Sequence, residues 1–154
     1  MASNFIPKIM IVESYGSNVK SLSSHLSSFG IPLQVVTADD APGAMARLQM
    51  EPADLVIIDT LLRGKIDGFD LCRNLRSNHF GQNVPIILLL AGTLSLERAK
   101  GIVAGADLLL HRPVVKEELL KMLQLLLGRK LEQADNGHAV VAEPIPLRRL
   151  RTAV

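Results

Sequence analysis

Tryptophan is absent, cysteine occurs once, and aromatic residues make up only 3% of the chain. The aromatics, Phe5, Tyr15, Phe29, Phe69 and Phe80, are too few and scattered for a base-stacking platform on single-stranded nucleic acid. A lone Cys72 cannot form an internal disulfide, which suits a reducing compartment. It reads as a small core residue. No apolar run approaches the ~20 residues that span a bilayer. Met1 to Pro7 lacks the charged start and apolar core of a signal peptide, so a cytoplasmic location is expected. Net charge is +2, which argues for neither nucleic acid nor a membrane surface. There is no G-x-G-x-x-G, no G-x-x-x-x-G-K-[ST] and no G-x-S-x-G, so dinucleotide, P-loop and hydrolase readings lose their support. His25, His79, His111 and His138 are not spaced as metal ligands. His25 and His79 read as surface residues, and His111 as structural.

What is present is a repeated alternation of strand and helix in 154 residues, the size of one domain. Apolar runs at Ile9–Val12, Leu33–Thr37, Leu55–Ile58, Val84–Leu90 and Leu108–Leu110 read as strands. Between them, helical spacing predicts helices over Ser14–Ser28, from Asp39 or Asp40 to Glu51, over Phe69–Arg76, from Thr93 or Ser95 to Gly105, and over Val115–Leu127. Such alternation predicts an α/β three-layer sandwich, a parallel sheet with helices on both faces. The flavodoxin-like order 2-1-3-4-5 is expected, with right-handed crossovers.

Asp59 ends the third apolar run. A carboxylate there either caps the following turn or faces the crevice where ligands bind in such sheets. The expected order brings Glu13 and Ser14, Asp59, Leu90 and Ala91, and Arg112 and Pro113 to that crevice. Two neighbouring carboxylates repel unless a cation lies between them, and Mg²⁺ needs only one or two carboxylates plus water and phosphate oxygens. A carboxylate can also act as a nucleophile toward a phosphoryl group, with Arg112 pairing the added charge. The Ser14, Ser17 and Asn18 cluster offers a phosphate cradle at a helix start or ordinary helix capping, the preferred reading.

Lys8–Glu13, Asp54–Asp59, the Asp67-Gly68 pair, Val84–Ile87, Gly105-Ala106 and Arg112-Pro113 together resemble the receiver domains of bacterial response regulators. The resemblance covers about Lys8 to Gly128. It implies a phosphorelay (two-component) role, with Asp59 accepting phosphate from a histidine kinase and Glu13 and Asp59 holding Mg²⁺. Arg112 stands at the family's lysine position. No enzyme activity is implied beyond self-phosphorylation at Asp59 from a phosphodonor. The chain departs from the family at several switch positions. Ser14 replaces a second acid, which weakens metal binding. Leu90 replaces a Thr or Ser, Leu109 an aromatic, and Arg63 a proline in a loop one residue longer. Thr93 is a candidate substitute for the missing hydroxyl. Two readings therefore compete: a phosphorylated receiver, and a pseudo-receiver that acts as a phosphorylation-independent interaction or dimerisation module.

The last predicted helix holds more leucine than one face needs. The surplus marks either an unusually wide core contact or, the favoured reading, a second buried face covered by a partner copy or by the tail. Leu120, Leu125 and Leu127 are candidates for that interface, and the resemblance implies homodimerisation through helix four, strand five and helix five. Residues 1–128 are assigned to the receiver-like domain and 129–154 to a tail. The tail reads as a linker carrying a short strand at His138–Ala142 or a dimer contact. Its Arg148, Arg149 and Arg151 are a weak hint of nucleic acid, which is not the expected partner.

Overall fold

Successive side chains on a strand point to opposite faces, so a run such as Leu55–Ile58 needs apolar cover on both sides. The fold supplies it. A computed structural model describes residues 4–92 and 94–135. Strands β1 (Lys8–Val12), β2 (Gln34–Ala38), β3 (Leu55–Asp59), β4 (Ile86–Leu90) and β5 (Leu108–His111) alternate with helices α1 (Gly16–Leu26), α2 (Ala41–Met50), α3 (Gly68–Arg76), α4 (Ser95–Ala104) and α5 (Lys116–Asp135). All strand pairings are parallel, in the order β2-β1-β3-β4-β5. This is the expected sandwich.

Strand alternation sorts the core into two halves. Ile9, Ile11, Leu55, Ile57, Ile87 and Leu89 pack with Leu22 and Leu26 of α1 and with the leucines of α5. Met10, Val12, Val56, Ile58, Ile86, Leu88 and Leu90 pack with α2, α3 and Ala104 of α4. Cys72 is fully buried in that second half, as expected of a small apolar residue.

Helix starts follow side-chain chemistry where an oxygen is available. Asp40 Oδ1 accepts the Gly43 N–H at 2.8 Å, and Asp67 Oδ1 accepts the Asp70 N–H at 2.8 Å. Helix α4 differs from expectation. Ser95 is its first residue, and the N-cap is Leu94, which has no capping side chain. Glu97 Oε2 instead accepts the Gly92 N–H at 2.9 Å. Thr93 lies outside the described residues. Gly105, with φ 96°, ends the helix in the left-handed conformation that favours glycine.

The largest departure is α5, which runs past Gly128 to Asp135. A glycine inside a helix costs about 1 kcal/mol, and packing beyond it offsets that cost. Leu131 packs against the core half shared with α1. Lys130 Nζ donates to Asp54 Oδ1 at 3.0 Å. Helix α5 therefore continues past residue 128 with contacts to the rest of the fold. Residues 136–154, including the strand expected at His138–Ala142 and the three arginines, lie outside the described residues.

The leucine surplus is also mostly resolved within the chain. Because α5 meets both the sheet and α1, its contact is unusually wide. Leu119, Leu123, Leu126 and Leu127 are all buried. Leu127, expected at an interface, is 0% exposed and belongs to the core. Leu120 is half-buried, and Leu125 is 61% exposed.

Candidate functional site

The parallel register aligns the strand ends. Val12 sits opposite Ile58, Asp59 opposite Leu89, and Leu90 opposite His111. Glu13, Asp59, Leu90 and Arg112 each lie at a strand end or one residue beyond, so one rim gathers them. The polar members among them touch. Arg112 Nη1 is 3.0 Å from Asp59 Oδ2, and Glu13 lies beside the Asp59 carboxyl.

The two carboxylates are held in the same way. Asp59 Oδ1 accepts the Leu61 N–H at 2.7 Å, and Glu13 Oε1 accepts the Tyr15 N–H at 3.1 Å. In each case the backbone two residues on fixes one oxygen. The other oxygen, Asp59 Oδ2 or Glu13 Oε2, is buried without a hydrogen bond. The contact of Asp59 with Arg112 is therefore ionic, without an N–H aimed along it. Asp59 is 0% exposed. Its pKa is pushed up to about 7, first by burial and then by the neighbouring Glu13 carboxyl; the Leu61 N–H and Arg112 oppose the rise.

Ser14 does not cap α1. The N-cap is Tyr15, which has no capping side chain. The Ser14 hydroxyl donates to Asp39 O at 2.7 Å and accepts the Arg63 N–H at 2.9 Å. It thus joins the loops that follow β1, β2 and β3. The Arg63 guanidinium lies 4.9 Å from the Tyr15 ring centroid, in cation–π range. The sequence marks Ser14 as a lost acid and a helix-capping candidate, and Arg63 as a lost proline. The partners lie 25 and 49 residues away from Ser14, and no local pattern announces them.

The remaining positions make packing and backbone contacts. Leu90 is fully buried, and its carbonyl accepts the Arg112 N–H at 3.0 Å, setting the base of the arginine. Leu109 packs toward α4. A Cβ on Gly101 would lie 2.5 Å from Leu109 Cδ2, so the small residue makes room for it. His111 Nε2 lies 3.3 Å from Arg98 Nη1. The Thr60 hydroxyl donates to Leu89 O at 3.0 Å. Gly68 has a clear reason to be glycine, since a Cβ would fall 2.2 Å from the Asp59 carbonyl oxygen.

As a cation site, the rim offers Glu13 Oε2 and Asp59 Oδ2, two buried oxygens without hydrogen bonds. That pair fits a magnesium ion that keeps most of its water. Ser14 adds nothing to the set while its hydroxyl is engaged. Among the described residues no group of three or more His, Cys, Asp or Glu is arranged to hold a metal.

Comparison with known proteins agrees with this geometry. The signature of the response regulator receiver domain family matches residues 9–124. The chain is 33% identical over 134 residues to the response regulator MprA of Mycobacterium ulcerans (strain Agy99), covering 86% of this chain and 56% of that protein. It is 33% identical over 124 residues to the phosphate regulon transcriptional regulatory protein PhoB of Rhizobium meliloti (strain 1021), covering 80% and 53%. It thus spans about half the length of these curated relatives. Among solved structures, the chemotaxis protein CheY4 of Vibrio cholerae superposes with a TM-score of 0.72 at 28% identity, covering 80% of this chain and 100% of that one. The receiver domain of the sensor histidine kinase PA1611 from Pseudomonas aeruginosa PAO1, with magnesium coordinated in its active-site cleft, gives a TM-score of 0.72 at 28% identity, covering 80% and 99%.

Proposed function

The chain belongs to the response regulator receiver domain family, and we propose that it serves a two-component phosphorelay in which Asp59 accepts a phosphoryl group from a histidine kinase. One observation carries this reading. Asp59 presents a buried oxygen without a hydrogen bond beside Arg112, at the strand-end crevice, while its other oxygen is tied back to Leu61. The free oxygen attacks the phosphorus of a phosphohistidine. The P–N bond breaks, and the imidazole nitrogen leaves with the bond's electron pair and takes a proton. The product aspartyl phosphate carries about −1.5 to −2 of charge, up to roughly one unit more negative than the ionised carboxylate it replaces, and Arg112 is placed to pair it.

Glu13 and Asp59 would hold magnesium. When bound, that ion offsets the negative charge gathered on the carboxylates and the incoming phosphoryl group. The attacking carboxylate must be ionised, and burial works against that at neutral pH. Arg112 supplies a permanent counter-charge from the protein. Output then passes by contact with other proteins, a second copy of the chain included. Leu96, Ile102 and Val103 of α4 and Leu125 of α5 are exposed apolar residues available for it.

The test is incubation with Mg²⁺ and a small-molecule phosphodonor, followed by intact mass. A phosphoryl adduct that disappears in Asp59→Asn supports the reading. Absence of any adduct, with partner binding unchanged in that variant, sinks it and leaves a phosphorylation-independent interaction module. Leu125→Glu tests the contact surface by sedimentation; an unchanged association state would remove Leu125 from it.

A further inference from the structure

We propose that Ser14 is a positioning residue for Asp59, a hydroxyl bridge that holds the loop after β3 in place of a metal-ligating acid. The proposal rests on Asp59 as phosphoacceptor for its consequence but not for its geometry. The loop that starts at Thr60 contains both relevant donors. The Leu61 N–H fixes Asp59 Oδ1, and the Arg63 N–H, two residues on, is fixed by Ser14 Oγ. Ser14 is itself anchored, because its hydroxyl proton goes to Asp39 O after β2. A carboxylate at position 14 could accept from Arg63 but could not donate to Asp39 O. The bridge therefore needs a group that donates and accepts at once, which a hydroxyl is.

The same loop is gripped a second time. The Arg63 guanidinium stacks on the Tyr15 ring, and the Tyr15 N–H orients Glu13. Backbone and side chain of Arg63 thus tie the Asp59 loop to the Glu13 loop through neighbouring residues, Ser14 and Tyr15. Both carboxylates are oriented by backbone N–H groups of this chain, and each keeps one buried oxygen without a hydrogen bond. Moving Ser14 toward a cation would break this frame, so metal ligation by residue 14 and loop clamping exclude each other.

Three variants of the full chain separate this role from a bystander. In Ser14→Ala the Arg63 amide loses its acceptor, and its hydrogen exchange should quicken about tenfold, the scale of one lost hydrogen bond. Phosphorylation of Asp59 by a small-molecule donor at saturating Mg²⁺ should slow. Ser14→Thr, which keeps the hydroxyl, should restore both. Ser14→Asp should tighten Mn²⁺ binding, read by water-proton relaxation, by at least about tenfold, since charge count sets affinity for hard cations. It should also shift the Asp39 and Thr60–Gly64 amide resonances as the bridge to Asp39 breaks. If the Arg63 amide exchanges alike in Ser14→Ala and the parent, or if Ser14→Thr rescues nothing, the bridge does not position the loop. If Asp59 takes no phosphoryl group even in the parent, the proposed function fails while the exchange and Mn²⁺ readings still judge Ser14.

Discussion

The sheet carries buried charge at both of its rims, and the two rims treat it differently. Where strands begin, acids are matched. Asp107, just before β5, accepts from Arg76 Nη2 at 2.7 Å and from the Ile86 N–H at 2.8 Å through Oδ2. Arg76 also donates to the carbonyls of Gly105 and Val84 at 2.9 and 2.6 Å. Asp54, just before β3, accepts from the Lys8 N–H at 2.7 Å and from Lys130. Where strands end, acids are left half-matched. Among the described residues, the buried side-chain polar atoms without a hydrogen bond are Glu13 Oε2, Asp59 Oδ2 and His111 Nδ1, all at that rim. An unsatisfied buried polar atom costs roughly 1–3 kcal/mol. The starting rim matches its acids with donors, and the ending rim leaves buried atoms without hydrogen bonds, a cost that the rest of the fold offsets.

The sharpest way to break this comparison is at Arg76. Its side chain is 11% exposed and that of Asp107 4%. Removing one partner of a buried pair strands the other charge. Arg76→Ala should lose about 3–5 kcal/mol, a large share of the 5–15 kcal/mol typical of a domain. Denaturant unfolding followed by circular dichroism measures this. A loss below about 1 kcal/mol would show that the starting rim does not carry stability as described.

The two rims were unequally legible in the sequence. Fold class and Asp59 follow from local signals, apolar runs and a carboxylate at a strand end; the strand order rests on topology rules, and the gathering of Glu13 and Arg112 beside Asp59 rests on that order. Contacts that depend on distant segments were not visible. Ser14 reaches Asp39 and Arg63, and Arg76 reaches Asp107 across 31 residues. Neither pairing leaves a periodic trace. The leucines of α5 misled for a related reason. Their number exceeds what one sheet face needs, whereas α5 also packs on α1, a tertiary fact that turns Leu127 inward. Helix α5 runs past the expected end at Leu127 because Lys130 and Leu131 find partners in Asp54 and the core, contacts that local spacing does not announce.

A middle-sized effect of opposite sign is expected at Asp59. Its ordinary pKa of 3.8 rises to about 7 in the folded protein. Below about pH 4 folded and unfolded states are both protonated, and nothing is lost. Between about pH 4 and 7 the folded state keeps a proton that the unfolded chain releases, so stability falls as pH rises across that window and levels above it. Asp59→Asn removes the titrating group. The variant should match the parent near pH 4 and exceed it near pH 8 by roughly 2–4 kcal/mol, one pKa unit being worth about 1.4 kcal/mol. Thermal unfolding at the two pH values measures the difference. A parent whose stability rises from pH 4 to 7 relative to the variant would reverse the assignment of that cost to this rim.

The smallest expected effect sharpens the comparison within the starting rim itself. Lys130 and Asp54 have side chains 33% and 20% exposed, against the nearly closed Arg76 and Asp107. Water competes for the ammonium, and salt screens it. Asp54 also keeps its bond from the Lys8 N–H when Lys130 is gone. Lys130→Ala should therefore cost no more than about 1 kcal/mol, and high salt should shrink the difference. Its visible consequence is local: amides of Leu131 to Asp135 should exchange faster, because the ion pair helps to hold the helix turns beyond Gly128. If Lys130→Ala instead unfolds the domain as readily as Arg76→Ala, then exposure does not grade the matched charges, and the helix end is as much a part of the foundation as the buried pair.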